Sequence, residues 1–174
     1  MVEIILFFSG SILLLWISLP GLKNPGSHSY YRFFSWVAIL AMFCINMGYW
    51  LIDPFSWNQI ITWILLIISL VLLIPGVVLL RTSGKPTDML EATTHLVQIG
   101  IYRYIRHPLY ASLLFLSWGI FFKRPSLLEG CLTMIATAFL YATARADEKE
   151  CIIKFGQEYS IYIQDSKMFI PFLF

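Results

Sequence analysis

The sequence predicts an all-α, polytopic integral membrane protein of about five transmembrane helices, with a helical C-terminal region on the cytoplasmic side. Two observations carry this. Of 174 residues, 59% are hydrophobic and 13% charged, against roughly 45–50% and 25% in a soluble domain. The charge is also lopsided. Glu3, Lys23, Arg32 and Asp53 are the only charged residues before position 81, and all the others follow it. Residues 1–80 therefore read as a transmembrane anchor and residues 81–174 as the region that carries chemistry.

A helix needs about 20 apolar residues to cross a ~30 Å hydrocarbon layer. The first run is Val2–Leu19, closed by Pro20-Gly21. No basic segment precedes it, and no small-residue cleavage site follows, so it reads as a span rather than a signal peptide. The second run is Phe33–Ile52 and the third Gln59–Leu80, joined by a tight link over 53–58. Pro75 inside the third run predicts a kink. The fourth, Leu109–Phe122, is short enough to be either a short crossing or one arm of a re-entrant hairpin. Lys123 and Arg124 at its end are placed to snorkel to the interface. The fifth is Leu127–Ala144, with Glu129 near its outer end.

Five crossings put 21–32, 81–108 and 145–174 on one side. That side carries Lys23, Arg32, Arg81, Lys85, Arg103, Arg106, Arg145, Lys149, Lys154 and Lys167, while only Lys123 and Arg124 face the other. The bias predicts a cytoplasmic C-terminus and an external N-terminus. A re-entrant fourth run leaves that grouping unchanged. With a net charge of +2 and no run of Lys or Arg, no nucleic-acid partner is expected. Cys44, Cys131 and Cys151 lie far apart with no C-x-x-C spacing; they are expected to be small buried hydrophobes, in neither a disulfide nor a metal site.

Three polar segments stand out. Arg81–Met89 leaves the third run. Thr94–Tyr110 enters the fourth, where Pro108 suits the first position of a helix. That helix start, with Arg103 and Arg106 beside it and Tyr102, Tyr104 and Tyr110 around it, can hold an anion, or can form an aromatic and basic belt at the interface. The third segment, Ala144–Tyr162, follows the fifth run. Its Asp147, Glu148 and Glu150 stand at or near membrane depth, where acidic groups need partners or a solvated cavity. Arg103, Arg106 and His107 are available as partners, and a solvated juxtamembrane helix is the alternative. Ile152, Ile153, Phe155, Tyr159 and Tyr162 form a stripe that can lie along the membrane surface.

The pattern Gly100-x-Tyr102-Arg103-x-x-Arg106-His107-Pro108-x-Tyr110, with Gly119 beyond it, resembles the R-H-P-x-Y block of the isoprenylcysteine carboxyl methyltransferase and phospholipid methyltransferase superfamily. Asp147-Glu148, then Phe155-Gly156-x-Glu158-Tyr159-x-x-Tyr162 and Ile170-Pro171, is similar to that superfamily's acidic C-terminal ending. The resemblance covers roughly residues 81–171. It implies a multi-spanning enzyme that transfers a methyl group from S-adenosylmethionine to a lipophilic acceptor among the membrane lipids. By position it implies a cofactor site of Thr94, His95, Leu96, Val97, Tyr102, His107, Pro108, Leu109, Tyr110, Asp147 and Glu148. Two departures mark this chain. Asp147 stands where the superfamily usually has Glu, and Thr143 stands where prenylcysteine-type members tend to carry an Arg.

The chemistry so implied is an in-line displacement in which positioning supplies much of the rate. A prenylcysteine-type carboxylate acceptor needs a cation to orient it, which Arg145, Arg103 or Arg106 can provide. A phospholipid amine must instead lose a proton, to Glu148 or His107. His107, Glu148 and Arg145 are thus the expected catalytic residues, and no metal is expected. An NADPH-dependent membrane reductase of the sterol-reductase type, and a non-catalytic scaffold or transporter subunit, are the other readings of such a chain.

Overall fold

The computed structural model describes residues 1–85 and 93–173. Pro86, Thr87, Asp88 and Met89 of the first polar segment lie outside them. The described residues form six α-helices and no strand: α1 (Val2–Leu22), α2 (His28–Ile45), α3 (Trp57–Ser83), α4 (Pro108–Lys123), α5 (Leu127–Phe155) and α6 (Gln157–Asp165). Helices α1, α3 and α5 are long and apolar enough to cross a membrane by themselves.

Local chemistry sets the helix ends. Ser27 caps α2 by accepting from the Tyr30 amide at 3.2 Å, and Ser126 caps α5 by accepting from the Glu129 amide at 3.2 Å. Pro108 opens α4 at its first position, where its missing N–H is harmless. Gly156 separates α5 from α6 with φ +61, a conformation open mainly to glycine.

The first five helices pack in the order α1, α2, α5, α4, α3, each antiparallel to its neighbour. Gly10 of α1 faces Leu40 of α2, and Gly21 faces Ser29. On α2, the Phe34 ring stacks on Phe139 of α5 at 5.0 Å, and Met42 meets Thr133. Along α3 and α4, Gly76 touches Pro108 and Leu109, Ser69 Oγ donates to Ser112 O at 2.8 Å, and Gln59 Nε2 donates to Lys123 O at 3.3 Å. Helix α4 therefore runs beside α3 from Gly76 back to Gln59. Its 16 residues, about 24 Å at 1.5 Å each, lie antiparallel to α3 over that stretch.

Several expectations are corrected. Helix α1 continues through Pro20-Gly21 to Leu22, because a proline in the last turn removes a single ladder bond. Helix α2 stops at Ile45 rather than Ile52. The Asn46 side chain turns back to donate to Met42 O at 3.0 Å, and a 3-10 turn at Met47–Tyr49 follows. Lys123 does not snorkel. It is 3% exposed, with Nζ donating to Gln59 Oε1 at 2.5 Å and Trp50 O at 3.0 Å and lying 4.2 Å from the Trp63 ring centre. Among the cysteines, Cys44 is buried but Cys131 is exposed.

Two buried clusters hold the bundle. Ala38, Ile39, Met42, Ile120 and Ala136 fill its middle. Ile105, Tyr110, Ala111, Leu140, Ala144, Met168 and Phe169 form a floor at the other end. There the tail after α6 pairs with the segment before α4 as a single parallel bridge, Ile105 with Lys167. Arg106 N donates to Lys167 O at 2.7 Å and His107 N to Met168 O at 3.2 Å. The described parts of the three longer segments grouped by charge thus meet at one end of the bundle.

Candidate active site

At that end lies a cleft, part of it open to solvent. The end of α3 contributes Leu80, and the segment before α4 contributes Thr93, Leu96, Val97, Tyr102, Arg106 and His107. Pro108, Leu109 and Tyr110 open α4. Asp147, Cys151 and Phe155 come from α5, and Tyr159 and Tyr162 from α6.

The electrostatics centre on two adjacent acids with different surroundings. Glu148 is turned into the protein, its side chain 4% exposed. Its Oε1 accepts from Arg106 Nε at 2.9 Å and lies 2.8 Å from Nη2, and its Oε2 accepts from Arg145 Nη1 at 3.1 Å. The remaining Arg106 nitrogen donates to the carbonyls of Ile163 and Ser166, which ties α6 and the tail to the same pair. Asp147 lines the cleft with its side chain 26% exposed. Its Oδ2 stands 3.5 Å from His107 Nδ1, and its Oδ1 accepts from Cys151 Sγ at 3.7 Å.

His107 joins both acids. Its ring stacks on Tyr110 at 5.4 Å. Nε2 is buried without a hydrogen bond, 3.7 Å from Glu148 Oε1. Burial alone would lower the pKa of this imidazole. The Asp147 and Glu148 carboxylates outweigh that and raise it above the ordinary value of 6.5. The cleft therefore presents an imidazole whose protonated form its acidic neighbours favour, one partly exposed carboxylate and several aromatic walls.

Of the residues that the resemblance implied, Leu96, Val97, Tyr102, His107, Pro108, Leu109, Tyr110 and Asp147 line this cleft. Thr94 and His95 are exposed outside it. Thr94 Oγ1 lies 2.9 Å from His95 Nδ1 and donates to the backbone at Lys85. Glu148 is buried off the cleft lining, and Arg145, bonded to it, is also outside the lining with its side chain 55% exposed. Sequence reasoning placed Arg106 beside the site as a cation for the acceptor, and did not assign Leu80, Thr93, Cys151, Phe155, Tyr159 or Tyr162 to the cleft. A signal for two of them was present, since Cys151 and Phe155 follow Asp147 at four-residue spacing on one helix face. Tyr159 and Tyr162, expected on a membrane-facing stripe, are 2% and 5% exposed and turned inward, while Ile152 and Ile153 stay exposed. Tyr162 donates to Tyr102 O at 2.5 Å, which anchors α6 over the cleft.

A helical membrane bundle with a polar, aromatic-walled cleft at one end is the frame of an integral membrane enzyme rather than of a soluble one. A profile of the phospholipid methyltransferase family matches residues 57–157, from the start of α3 to the start of α6. The chain belongs to that family and is a membrane methyltransferase. No curated protein matches it.

Proposed function

We propose that the protein uses S-adenosylmethionine to methylate the amine of a phospholipid, with the cleft as the donor site and the cleft end of the bundle in the cytoplasm. The residues fit that donor on two counts. The aromatic walls suit a sulfonium, and the buried His107 Nε2 and the partly exposed Asp147 supply a donor and an acceptor for the polar ends of the molecule. When bound, the donor supplies an electrophilic methyl group. The protein's part is to orient it, to exclude water with α6 and to leave one face open to the bilayer.

The observation that favours an amine acceptor is the use of the arginines. An acceptor carboxylate needs a cation; of the three expected, Arg106 and Arg145 are bonded to Glu148 and Arg103 does not line the cleft. Thr143, where prenylcysteine-type members tend to carry an arginine, is fully buried and donates to Phe139 O. The acidic group left in the cleft is Asp147, which repels a carboxylate and attracts an ammonium. Glu148, held by two guanidinium groups, positions Arg106 and the tail rather than acting as a base.

The test uses purified full-length protein with labelled S-adenosylmethionine. Binding is read by titration, and label is sought in ethanolamine-headgroup phospholipids and in a farnesylcysteine analogue presented side by side. Label is expected in the phospholipid. Label in the prenylcysteine ester alone would overturn the amine reading.

A further inference from the structure

We propose that Glu129 and Asn46 form a buried proton-binding site at the end of the bundle opposite the cleft, with the Glu129 carboxyl held as the neutral acid and its O–H given to Asn46 Oδ1. The local sequence directs this carboxyl elsewhere. Ser126-Leu127-Leu128-Glu129 has the spacing of a capping box, in which the serine accepts from the glutamate's amide and the glutamate side chain reaches back to the serine's amide. The first half is made, with Ser126 Oγ accepting from Glu129 N at 3.2 Å. The second half is not. Glu129 turns inward and is 1% exposed, and among the described residues neither of its carboxyl oxygens has a hydrogen-bond partner.

The carboxyl meets the end of α2. Asn46, which closes that helix, is 0% exposed, and its side chain stands beside Glu129. Its Nδ2 donates to Met42 O at 3.0 Å, which leaves Oδ1 as a second buried acceptor without a donor. Thr133 Oγ1, one turn along α5, donates to the Glu129 backbone carbonyl and not to the carboxyl. Two adjacent buried acceptors lack a hydrogen. An ionised carboxylate cannot supply one, and an unpaired charge inside an apolar bundle is the costlier state. A single proton on Glu129 removes the charge and satisfies Asn46 Oδ1. A hard metal cation would want about six oxygens or more, whereas a proton needs two.

The neighbouring charged groups are engaged elsewhere. Arg124, in the link before α5, acts on the carboxyl from a distance, and its guanidinium donates to Tyr49 OH at 2.6 Å. Lys123, at the end of α4, is committed to Gln59 and to Trp50 O. Helix α2 has no acidic or basic residue after Arg32; its thiol Cys44 lies towards Glu3 of α1. Cys131 is the next titratable group on α5 itself and is exposed. The acid–amide bond thus ties the start of α5 to α2, on the same helix that carries Asp147 into the cleft.

The test combines infrared spectroscopy and thermal unfolding of the full-length protein in detergent. The difference spectrum between wild type and Glu129→Gln at neutral pH should contain the carbonyl band of a protonated carboxyl. Asn46→Leu should shift that band by removing its acceptor. Glutamine imitates the neutral acid, with an N–H in place of the O–H, so Glu129→Gln should match the wild-type Tm at acid pH, where Glu129→Ala falls below both. Raising the pH strips the proton and leaves a buried charge. The wild type should therefore lose Tm relative to Glu129→Gln as pH rises. A difference spectrum without the band, or a gap in Tm that ignores pH, overturns the proposal. So does a wild-type Tm that rises with added sodium or potassium while that of Glu129→Gln does not, since the site would then hold a metal cation.

Discussion

Asp147 and Glu148 share a place in the sequence pattern and differ in every physical respect, so their variants should separate. Asp147→Asn removes the cleft's own carboxylate. A hydrogen bond to a charged group contributes roughly 1.5–3 kcal/mol, so affinity for S-adenosylmethionine should fall about ten- to a hundredfold with little loss of stability, as isothermal titration would show. Glu148→Gln leaves the Arg106 guanidinium, 8% exposed, without its counter-charge. Breaking a buried pair costs roughly 3–5 kcal/mol, so this variant should unfold at clearly lower temperature in detergent. Equal stability for the two would contradict the division. His107 adds a pH signature. Its folded pKa is raised, so its protonation stabilises the protein fully below about pH 6.5 and less as pH rises through the folded value. The gap in Tm between wild type and His107→Gln should be widest on the acid side and close as pH climbs; a gap that widens instead would mean the ring is neutral in the fold. The sequence announced the acidic pair and the histidine. It was silent on which acid faces the cleft, because that depends on where Arg106 and Arg145 end up after α6 folds back.

At the scale of helices, apolar runs were legible because a membrane span is a composition before it is a structure. The ends were less so. The stop of α2 at Ile45 depends on the Asn46 side chain capping its own turn, and the burial of Lys123 depends on Gln59, Trp50 and Trp63 arriving from elsewhere in the chain. The second is not encoded near the residue concerned. Helix packing offers a direct test at Gly76, where α3 meets the start of α4. A Cβ there would lie 3.1 Å from Leu109 Cδ2 and 3.4 Å from Pro108 Cγ. Gly76→Ala asks those side chains to give by a few tenths of an ångström and should be nearly silent. Gly76→Leu overfills the contact, at roughly 1–3 kcal/mol. It also pushes Pro108 and Leu109, which line the cleft, so thermal stability and cofactor affinity should fall together. A Leu variant with normal affinity would mean that the α3–α4 contact does not set the cleft's shape.

For the whole molecule, the antiparallel order of the five long helices places the N-terminus at one end and the cleft, α6 and the tail at the other. The sequence sets ten Lys and Arg residues at the cleft end against Lys123 and Arg124. The structure sharpens that contrast, since Lys123 is buried among Gln59, Trp50 and Trp63 and is not a loop charge. Arg124, donating to Tyr49 OH at 2.6 Å, is the remaining basic group at that end. Basic residues in short loops stay on the cytoplasmic side, so a reporter fused after Phe174 should read cytoplasmic and one fused before Met1 external. The stake is larger than orientation. Under the proposed function, S-adenosylmethionine, a charged and water-soluble donor, would reach the cleft from the compartment where it is made, and the acceptor from the adjoining leaflet. A C-terminal reporter on the external face would put the cleft out of reach of its donor, and the methyl-transfer reading would fall with the topology.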